Sequence, residues 1–454
     1  MRLLIIGGSD AGIMAGLRAR QLDPHTDVTI IVADNYPNYS ICGIPYHVAG
    51  EVPDWHDLAH RTSNDLEAAG LSLRLDTRAT SIDATGHTVT VRTPAGTVET
   101  IGYDQLVVAT GAGPTSTTIS GLSGPKALGP DDGVHVLHTI DNMHAVQHDL
   151  KTRQPTTAVI IGAGYIGLEM AEALTRRGIA VTMIQRGPEI LSTLDPDLAR
   201  ILHNELDRHG VTVITGTTVE RIKRHTSHLI VTVTNSAGIQ RIETEFVLTV
   251  VGVQPNTGLL TKAGAKTGPG NAIVVDDHMR TGLPDIYAAG DCVITKHRLL
   301  GNTWMPLGTT AHKQGRIAGE NAAGGDATFK GVLGTQAVKV FDLVAASTGL
   351  RQTDAQSARL PARSVTATVD DHKAYYPGSH PITIRLTADP TTGQLLGGQL
   401  VGTYGSEVSK RADVIATAIF AGLTIQQLSD LDLSYTPPLA APWDAIQTTA
   451  QHWQ

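Results

Sequence analysis

Cys42 is the residue whose type and position point most directly to chemistry. It lies in the segment 38–46, shortly after the first strand–helix–strand pattern, where a further helix is expected to begin. The N-terminus of a helix lowers the pKa of a thiol and makes the nucleophilic thiolate available. Pro45 suits the first turn of such a helix. The other cysteine, Cys292, is predicted to pack as a small buried hydrophobic residue.

A second chemical signal is the glycine spacing G-x-G-x-x-G at Gly162, Gly164 and Gly167. The spacing follows an apolar run and precedes a helical pattern, and in this context it binds dinucleotides. The glycines let the backbone approach a pyrophosphate, and the helix N-terminus attracts its negative charge. The sequence therefore predicts a dinucleotide site here.

The strand after this loop ends in Gln185 and Arg186, where an acidic residue usually binds the hydroxyl groups of the adenine ribose. An acid repels a 2′-phosphate and an arginine attracts it. The pair favours NADPH over NADH, unless Arg186 is only a solvated surface charge.

The first glycine loop is less regular. Gly7 and Gly12 frame it, and Asp10 lies inside it. A carboxylate stabilises a helix N-terminus, but it would repel a pyrophosphate unless it points away. Asp34 ends the following strand and is the nearby candidate to bind a ribose, with a simple turn aspartate as the alternative.

These motifs need elements that position them. Two strand–helix–strand patterns begin at residues 3 and 158, at an offset of about 155 residues, which indicates two dinucleotide-binding units in one chain. Apolar strands are also expected at 103–111 and 246–252, and a helix after His312 that stops at the glycines 324–325. From about residue 328 the pattern alternates like an antiparallel sheet with helices.

Composition narrows the class of protein. The 454 residues include 47 glycines and only two cysteines, and the net charge is −8. The negative net charge gives no indication of nucleic-acid binding. Two cysteines are too few for a secreted domain that is stabilised by several disulfide bonds. The first apolar run is too short for a signal peptide, and no run is long enough for a membrane span. We expect a cytoplasmic protein that binds neither nucleic acid nor membrane.

The motifs, taken in order, resemble the flavin-dependent pyridine nucleotide–disulfide oxidoreductases over nearly the whole chain. The resemblance is strongest to the single-cysteine branch, the coenzyme A-disulfide reductases and NADH oxidases or peroxidases. The motifs that carry it are 7–12, Ser40-x-Cys42-Gly43-x-Pro45-Tyr46, Ala109-Thr110-Gly111, 162–169, Pro255-Asn256-Thr257 and Tyr287-Ala288-Ala289-Gly290-Asp291.

The resemblance implies an α/β fold with two Rossmann-like domains, as in glutathione reductase, and a C-terminal α+β dimerisation domain. FAD is expected in a discontinuous domain, 1–112 and 246–325. NADPH or NADH is expected in 113–245, and the dimerisation domain in 328–454. The partners implied are a second copy of the chain and a small-molecule disulfide or persulfide, with coenzyme A as one candidate.

The resemblance also implies residue roles. Asp291 is expected to bond the ribityl–pyrophosphate region of the flavin, and Glu169 to lie near the nicotinamide. No metal ligand is assigned. The residues assigned to cofactor binding are Gly7, Gly8, Ala11, Gly12, Asp34, Ser40, Pro45, Ala109, Thr110, Gly111, Gly162, Gly164, Tyr165, Ile166, Gly167, Glu169, Gln185, Arg186, Gly252, Gly290, Asp291, Leu307 and Ala311.

The two-cysteine branch of the family carries C-x-x-x-x-C, but here His47 stands five residues after Cys42. Cys42 must therefore cycle with an external thiol as a mixed disulfide, or through a sulfenic acid. The oxidases and peroxidases of the branch carry a histidine in the first glycine loop, where this chain has Asp10.

Coenzyme A-disulfide reductases also carry a tyrosine before Pro-Gly and another before Pro-Pro, whose phenols face the cysteine of the other subunit. The second is Tyr435 here, and the first is Tyr375 or Tyr376, of which we assign Tyr376 as catalytic with Tyr435 and Cys42. A phenol stabilises a leaving thiolate by hydrogen bonding; interface packing is the alternative role.

The predicted function is electron transfer from NAD(P)H through FAD and Cys42 to a small disulfide or persulfide such as coenzyme A disulfide. One alternative is an NAD(P)H oxidase or peroxidase. Others are a reductase for a protein electron carrier, in which Cys42 is incidental, and a flavin-bound redox sensor with negligible turnover.

Overall fold

The computed structural model describes residues 1–115 and 118–453. The chain forms two compact units, and both are assembled from three separate segments. The first unit comprises 1–44, 53–115 and 252–332. The second comprises 45–52, 116–251 and 333–454.

The strands of the described residues follow an alternation of short apolar runs and turns. In chain order they are β1 Arg2–Ile6, β2 Asp27–Ile31, β3 Leu71–Arg74, β4 Arg78–Asp83, β5 Thr88–Arg92, β6 Val98–Gly102, β7 Gln105–Val108, β8 Ala112–Pro114, β9 Val134–Val136, β10 Thr157–Ile161, β11 Ala180–Ile184, β12 Thr212–Ile214, β13 Thr218–His225, β14 His228–Asn235, β15 Gly238–Thr244, β16 Phe246–Thr249, β17 Val253–Pro255, β18 Ile286–Ala288, β19 Thr295–His297, β20 Gly301–Thr303, β21 Gln336–Val340, β22 Leu343–Gly349, β23 Arg363–Asp370, β24 Pro381–Ala388 and β25 Leu395–Thr403.

The helices are mostly short. They are α1 Asp10–Leu22, α2 Ile44–Ala49, α3 Ser63–Ala68, α4 Ile140–Thr152, α5 Tyr165–Arg176, α6 Pro196–Arg208, α7 Gly258–Lys262, α8 Gly308–Ala322, α9 Gln352–Ser357, α10 Val408–Phe420, α11 Ile425–Ser429 and α12 Ala445–Gln451. None of the helices in the described ranges is long and apolar enough to cross a bilayer.

The first unit is built on a parallel sheet in the order β18-β7-β1-β2-β3. The buried residues of β1 and β2 are all apolar. Helix α1 makes the crossover between these two strands. Helix α8 packs along α1 at unusually short range, because Gly315 and Gly319 face the backbone of Ala11 and Ala15. A Cβ at either glycine would lie 2.2 or 2.1 Å from a carbonyl oxygen of α1.

The second unit repeats the crossover and adds an antiparallel layer. Its parallel sheet has the order β12-β11-β10-β16-β9, with α5 as the crossover from β10 to β11. Its C-terminal part is an antiparallel sheet in the order β21-β22-β25-β24-β23, against which α10 packs. The predicted pair of Rossmann-like sheets and the antiparallel C-terminal region are thus confirmed.

Strand β16 corrects one detail of the predicted organisation. The second FAD-binding segment is predicted to begin at residue 246, but β16 pairs in parallel with β10 and β9 in the second unit. The break between the units falls after this strand, between 251 and 252. An apolar run predicts that a strand is buried, but it does not say which sheet the strand joins.

Candidate active site

The first glycine loop is shaped by contacts within the chain. Gly7 has φ +118°, and a Cβ there would lie 2.0 Å from the carbonyl oxygen of Ala109. A Cβ on Gly12 would lie 1.9 Å from the carbonyl oxygen of Gly7. These two glycines are therefore required by the packing of β1, β7 and α1. No side chain of the described residues caps the start of α1 at Ser9, so its first N–H groups can bind an anion.

Three small residues close the other side of this loop. Gly290 has φ +83°, and a Cβ on it would lie 2.9 Å from the Cβ of Ala11 and 3.6 Å from that of Ala311. The end of β18 therefore lies directly against the N-terminal turns of α1 and α8. Asp291 follows, and burial, together with the charge of Asp10, raises the pKa of its carboxyl to about 6. The first glycine loop and the segment that carries Asp291 thus lie close together. They offer N–H donors and a carboxyl that fit a dinucleotide, and the expected contact of Asp291 with a flavin stays a prediction.

Two sequence motifs of the first unit are tied together by side-chain bonds. The Thr110 hydroxyl donates to the carbonyl of Asn256 at 2.7 Å, and the Asn256 amide donates to the carbonyl of Thr110 at 3.0 Å. Strands β8 and β17 pair on either side of this exchange. The Ala-Thr-Gly and Pro-Asn-Thr motifs therefore form one structural feature, which the sequence did not show.

Cys42 lies in a three-residue 3-10 turn, Ile41–Gly43, immediately before α2, and its side chain is exposed. The helix begins at Ile44, and Pro45 occupies its first turn. The segment is held by the Ser40 N–H, which donates to the carbonyl of Leu58 at 2.8 Å. The predicted helix start is present, but α2 has only six residues, so its dipole is weaker than that of a long helix.

Asp34 makes a local turn. Its carboxylate accepts the backbone N–H of Tyr36 at 2.9 Å. This bond is the pattern expected of a turn aspartate. The proposed contact with a ribose stays a prediction.

In the second unit, the glycine loop combines packing and open space. Cβ atoms on Gly162 and Gly167 would lie 2.5 Å from the carbonyl oxygen of Val250 and 2.1 Å from that of Gly162. Around Gly164, by contrast, no heavy atom of the described chain other than its neighbours lies within 4 Å of such a Cβ. Gly164 lies immediately before α5, and no side chain of the described residues caps that helix start. The structure leaves room there for a pyrophosphate.

The residues that follow this loop differ in their contacts. The Tyr165 hydroxyl is hydrogen bonded to the Thr193 hydroxyl at 3.1 Å, and Ile166 is exposed. The Gln185 side-chain oxygen accepts the N–H of Ala163 at 3.3 Å. Arg186 is exposed at the end of β11. Gln185 therefore supports the loop, and Arg186 is available to a ligand.

Among the described carboxyls of the second unit, Glu169 has the pKa that is shifted furthest from its ordinary value. It lies on α5, where burial raises the pKa of its carboxyl to about 7. The Tyr46 hydroxyl donates to its Oε1 at 3.1 Å, and burial and the carboxylate raise the pKa of that phenol. Tyr46 belongs to the cysteine motif, but its pairing with Glu169 could not be predicted from the sequence, because the two residues are 123 positions apart. A carboxyl poised near neutral pH can hold or release a proton.

The C-terminal tyrosines lie in the second unit on exposed loops. Tyr435 and Tyr376 are 44% and 43% exposed, and Tyr375 is 72% exposed. Partial desolvation and the neighbouring Tyr435 raise the pKa of Tyr375. The ring of Tyr376 lies beside His372. The assignment of Tyr376, rather than Tyr375, as the catalytic partner of Tyr435 stays a prediction.

The remaining assigned residues occupy ends of elements. Leu307 precedes α8, Gly111 has φ +64° before β8, and Gly252 has φ +106° before β17.

His47, at the position of the absent second cysteine, bonds through Nδ1 to the carbonyl of Val52 at 2.8 Å. Cys292 is buried and donates to the carbonyls of Val108 and Ala289, which agrees with its predicted packing role.

Two family models match successive parts of the chain. The model described as pyridine nucleotide-disulphide oxidoreductase matches residues 1–315. The model of the dimerisation domain of the same family matches residues 335–446.

Individual proteins resemble the chain over its whole length. A CoA-dependent NAD(P)H sulfur oxidoreductase from Pyrococcus abyssi is 33% identical over 99% of this chain and 97% of its own. An NADH oxidase from Methanocaldococcus jannaschii is 32% identical over 99% and 98%. The solved structure of an NAD-dependent persulfide reductase from A. fulgidus is 36% identical, with a TM-score of 0.93 over 100% of this chain and 82% of its own.

Proposed function

Because the chain belongs to the pyridine nucleotide-disulphide oxidoreductases, we propose that it reduces a small disulfide or persulfide through Cys42. It is a FAD- and NAD(P)H-dependent oxidoreductase. The observation that carries the proposal is the exposed thiol of Cys42, in a turn of the first unit, without a second cysteine at the His47 position. A lone thiol of this kind needs an external sulfur as its redox partner.

The substrate chemistry follows from thiol–disulfide exchange. The Cys42 thiolate attacks one sulfur of R–S–S–R, forming a mixed disulfide and releasing one thiolate, which takes a proton. When bound, FAD supplies the redox chemistry, by accepting hydride from NAD(P)H and passing two electrons to sulfur. Cleavage of the mixed disulfide by two electrons releases the second thiol and restores the Cys42 thiolate. One disulfide, one NAD(P)H and one proton from solvent thus give two thiols and one NAD(P)⁺.

The residues of the chain have distinct proposed tasks. The first loop and Asp291 bind FAD, and the second loop, with its open Gly164, binds the pyrophosphate of NAD(P)H. Glu169, held by Tyr46, lies near the nicotinamide and carries a mobile proton. In a homodimer, Tyr435 and its neighbour Tyr375 or Tyr376 donate hydrogen bonds to the leaving thiolate. Coenzyme A is our leading identity for the thiol, since the P. abyssi relative is named as CoA-dependent.

The oxidase alternative has one observation in its favour, the similarity to the M. jannaschii NADH oxidase. In that function Cys42 would be oxidised by O₂-derived peroxide to a sulfenic acid and then reduced again. Histidine is absent from position 10 of the glycine loop, which is occupied by Asp10. We therefore rank sulfur reduction first.

Replacement of Cys42 by serine tests the proposal. With coenzyme A disulfide, glutathione disulfide, a persulfide and O₂ as acceptors, turnover of Cys42→Ser with the sulfur acceptors should fall by at least about 100-fold. Reduction of the bound flavin by NADPH should persist, because it precedes the thiol chemistry. Cys292→Ala, which alters the buried thiol, should keep disulfide turnover. Full disulfide turnover in Cys42→Ser would refute the proposal, and O₂ as the preferred wild-type acceptor would favour the oxidase.

A further inference from the structure

A cluster outside the assigned residues lies at the N-terminal end of α1. Asp10 is the first residue of this helix, and its Oδ1 lies 3.2 Å from Nε2 of His312 on α8. The ring of His60 lies edge-on to that of His312, with 6.2 Å between centroids. The ligand atoms of Asp10, His60 and His312 all lie within 4.8 Å of one another.

The fold brings these three residues together from distant segments. Gly315 and Gly319 let α8 approach α1 closely, and His312 is one turn before Gly315 on the same helix. His60 is fixed from a third direction, because its N–H donates to the carbonyl of Asn38 at 2.9 Å. The cluster is therefore a product of the tertiary structure, with each side chain supported by a different element.

The electrostatics of the cluster favour a cation. Asp10 and Asp291 are two carboxyls in one corner of the unit, close enough for their charges to repel each other. His312 is the imidazole that faces Asp10, with its Nε2 3.2 Å from the carboxylate oxygen. A pyrophosphate bound at the neighbouring loop would add further negative charge, which an ion at Asp10 would offset.

We propose that Asp10, His60 and His312 form a binding site for one divalent transition-metal ion, with Zn²⁺ as the representative ion. Two imidazole nitrogens and one carboxylate oxygen are donors that suit zinc, iron and copper, rather than the all-oxygen sets of magnesium and calcium. Metal–ligand bonds of about 2.0 to 2.2 Å place neighbouring tetrahedral ligands roughly 3.3 Å apart. Asp10 and His312 already have this separation, and His60 is exposed and can turn its ring toward them.

A second three-residue cluster gives the matched comparison. Glu205, His209 and Asp342 in the second unit also lie within reach of one ion. There, however, Arg208 bonds both carboxylates at 2.7 Å, so their charge is already compensated. Asp10 has no guanidinium among its described partners, and its carboxylate stays available to an ion. The first cluster, and not the second, therefore fits a metal.

The position suggests an effect on the thiol chemistry. Leu58, which accepts the N–H of Ser40 in the segment before Cys42, is two residues from His60. An ion at the cluster would lie beside the segment that carries the thiol. This site does not depend on the identity of the sulfur substrate, so its test is independent of the proposed function.

The test is metal binding by the FAD-loaded protein, after chelation and removal of the chelator. Zn²⁺ is titrated by calorimetry, and Co²⁺ by the visible bands that report its coordination. We expect one site per chain in the wild type, in His209→Ala and in Cys42→Ser. Affinity should fall by about 10- to 100-fold or more in His60→Ala and in His312→Ala.

Two results would overturn the proposal. One is wild-type affinity in both His60→Ala and His312→Ala. The other is loss of binding in Cys42→Ser alone, because the thiol would then be the ligand. His60 is exposed, so His60→Ala remains informative even if His312→Ala does not fold. Bound FAD, followed by its absorbance, provides the check that each variant is intact.

Discussion

The two glycine loops of the chain are alike in their packing and different in what they offer a ligand. Gly7 and Gly12 in the first unit make the same close approaches as Gly162 and Gly167 in the second. The residues between them differ, since Asp10 stands in the first loop. The framing glycines are therefore required by the packing of strand against helix. The residues between them determine what the loop can bind.

The second loop separates these two roles most clearly. Gly164 has open space around it, whereas every Cβ on the framing glycines would overlap a carbonyl oxygen. The residues that follow β2 and β11 also differ. In the first unit the Asp34 carboxylate bonds within a turn, whereas in the second unit Arg186 is exposed. A G-x-G-x-x-G match thus contains one position that is informative about the dinucleotide and two that are informative about the fold.

The largest expected effect comes from a framing glycine. Gly12→Ala should destabilise the protein by at least about 3 kcal/mol, because its Cβ would lie 1.9 Å from a backbone oxygen. Gly164→Ala should unfold like the wild type but bind NAD(P)H more weakly. Thermal unfolding and nucleotide titration measure the two effects. Equal stability of the two variants would contradict the division of roles.

Next in size is the pH dependence of the buried carboxyls. The pKa of Glu169 is raised from its ordinary 4.5 to about 7. The folded protein therefore holds this proton more tightly than the unfolded chain. Its contribution to stability is fully present below about pH 4.5 and is lost as the pH rises through 7, with a magnitude on the order of 3 kcal/mol.

Glu169→Gln should remove that slope from urea unfolding measured between pH 5 and 8, and the exposed Glu220→Gln should keep it. Asp291→Asn makes the corresponding test in the first unit, where the pKa rises from 3.8 to about 6. An unchanged pH profile in Glu169→Gln would mean that the carboxyl is ionised throughout this range.

The smallest effect concerns the choice of nucleotide. Arg186→Ala should raise the KM for NADPH by roughly tenfold, because a charge-assisted hydrogen bond contributes about 1.5 kcal/mol or more. The KM for NADH should hardly change, and Arg241→Ala, on another exposed strand of the unit, should leave both values alone. If the wild type strongly prefers NADH, as the name of the A. fulgidus relative suggests for that enzyme, Arg186 is a surface charge.

Local patterns predicted much of the fold. The two strand–helix–strand crossovers, the antiparallel sheet around β24 and β25 and the end of α8 near Gly324 all follow from short stretches of sequence. The partner of β16 did not follow, because pairing is set by the competition of several apolar strands for one sheet.

The parts of the candidate site that lie in short sequence motifs could be predicted. The parts that depend on contacts between distant segments could not. Cys42 and the glycines are recognisable by their neighbours in sequence. The pairing of Tyr46 with Glu169 and of His312 with Asp10 involves residues from separate elements. No spacing rule connects such residues, and a choice between Tyr375 and Tyr376 depends on the direction of two adjacent side chains.

The interleaving of the two units has a consequence for synthesis on the ribosome. The edge strand β18 pairs with β7, where Gln105 and Asp285 bond across 180 residues of chain. The first sheet cannot be completed until most of the polypeptide has emerged, and such long-range closure slows folding. Nascent chains that end before β18 expose the edge of β7, so a stalled or truncated product is the form most prone to aggregation.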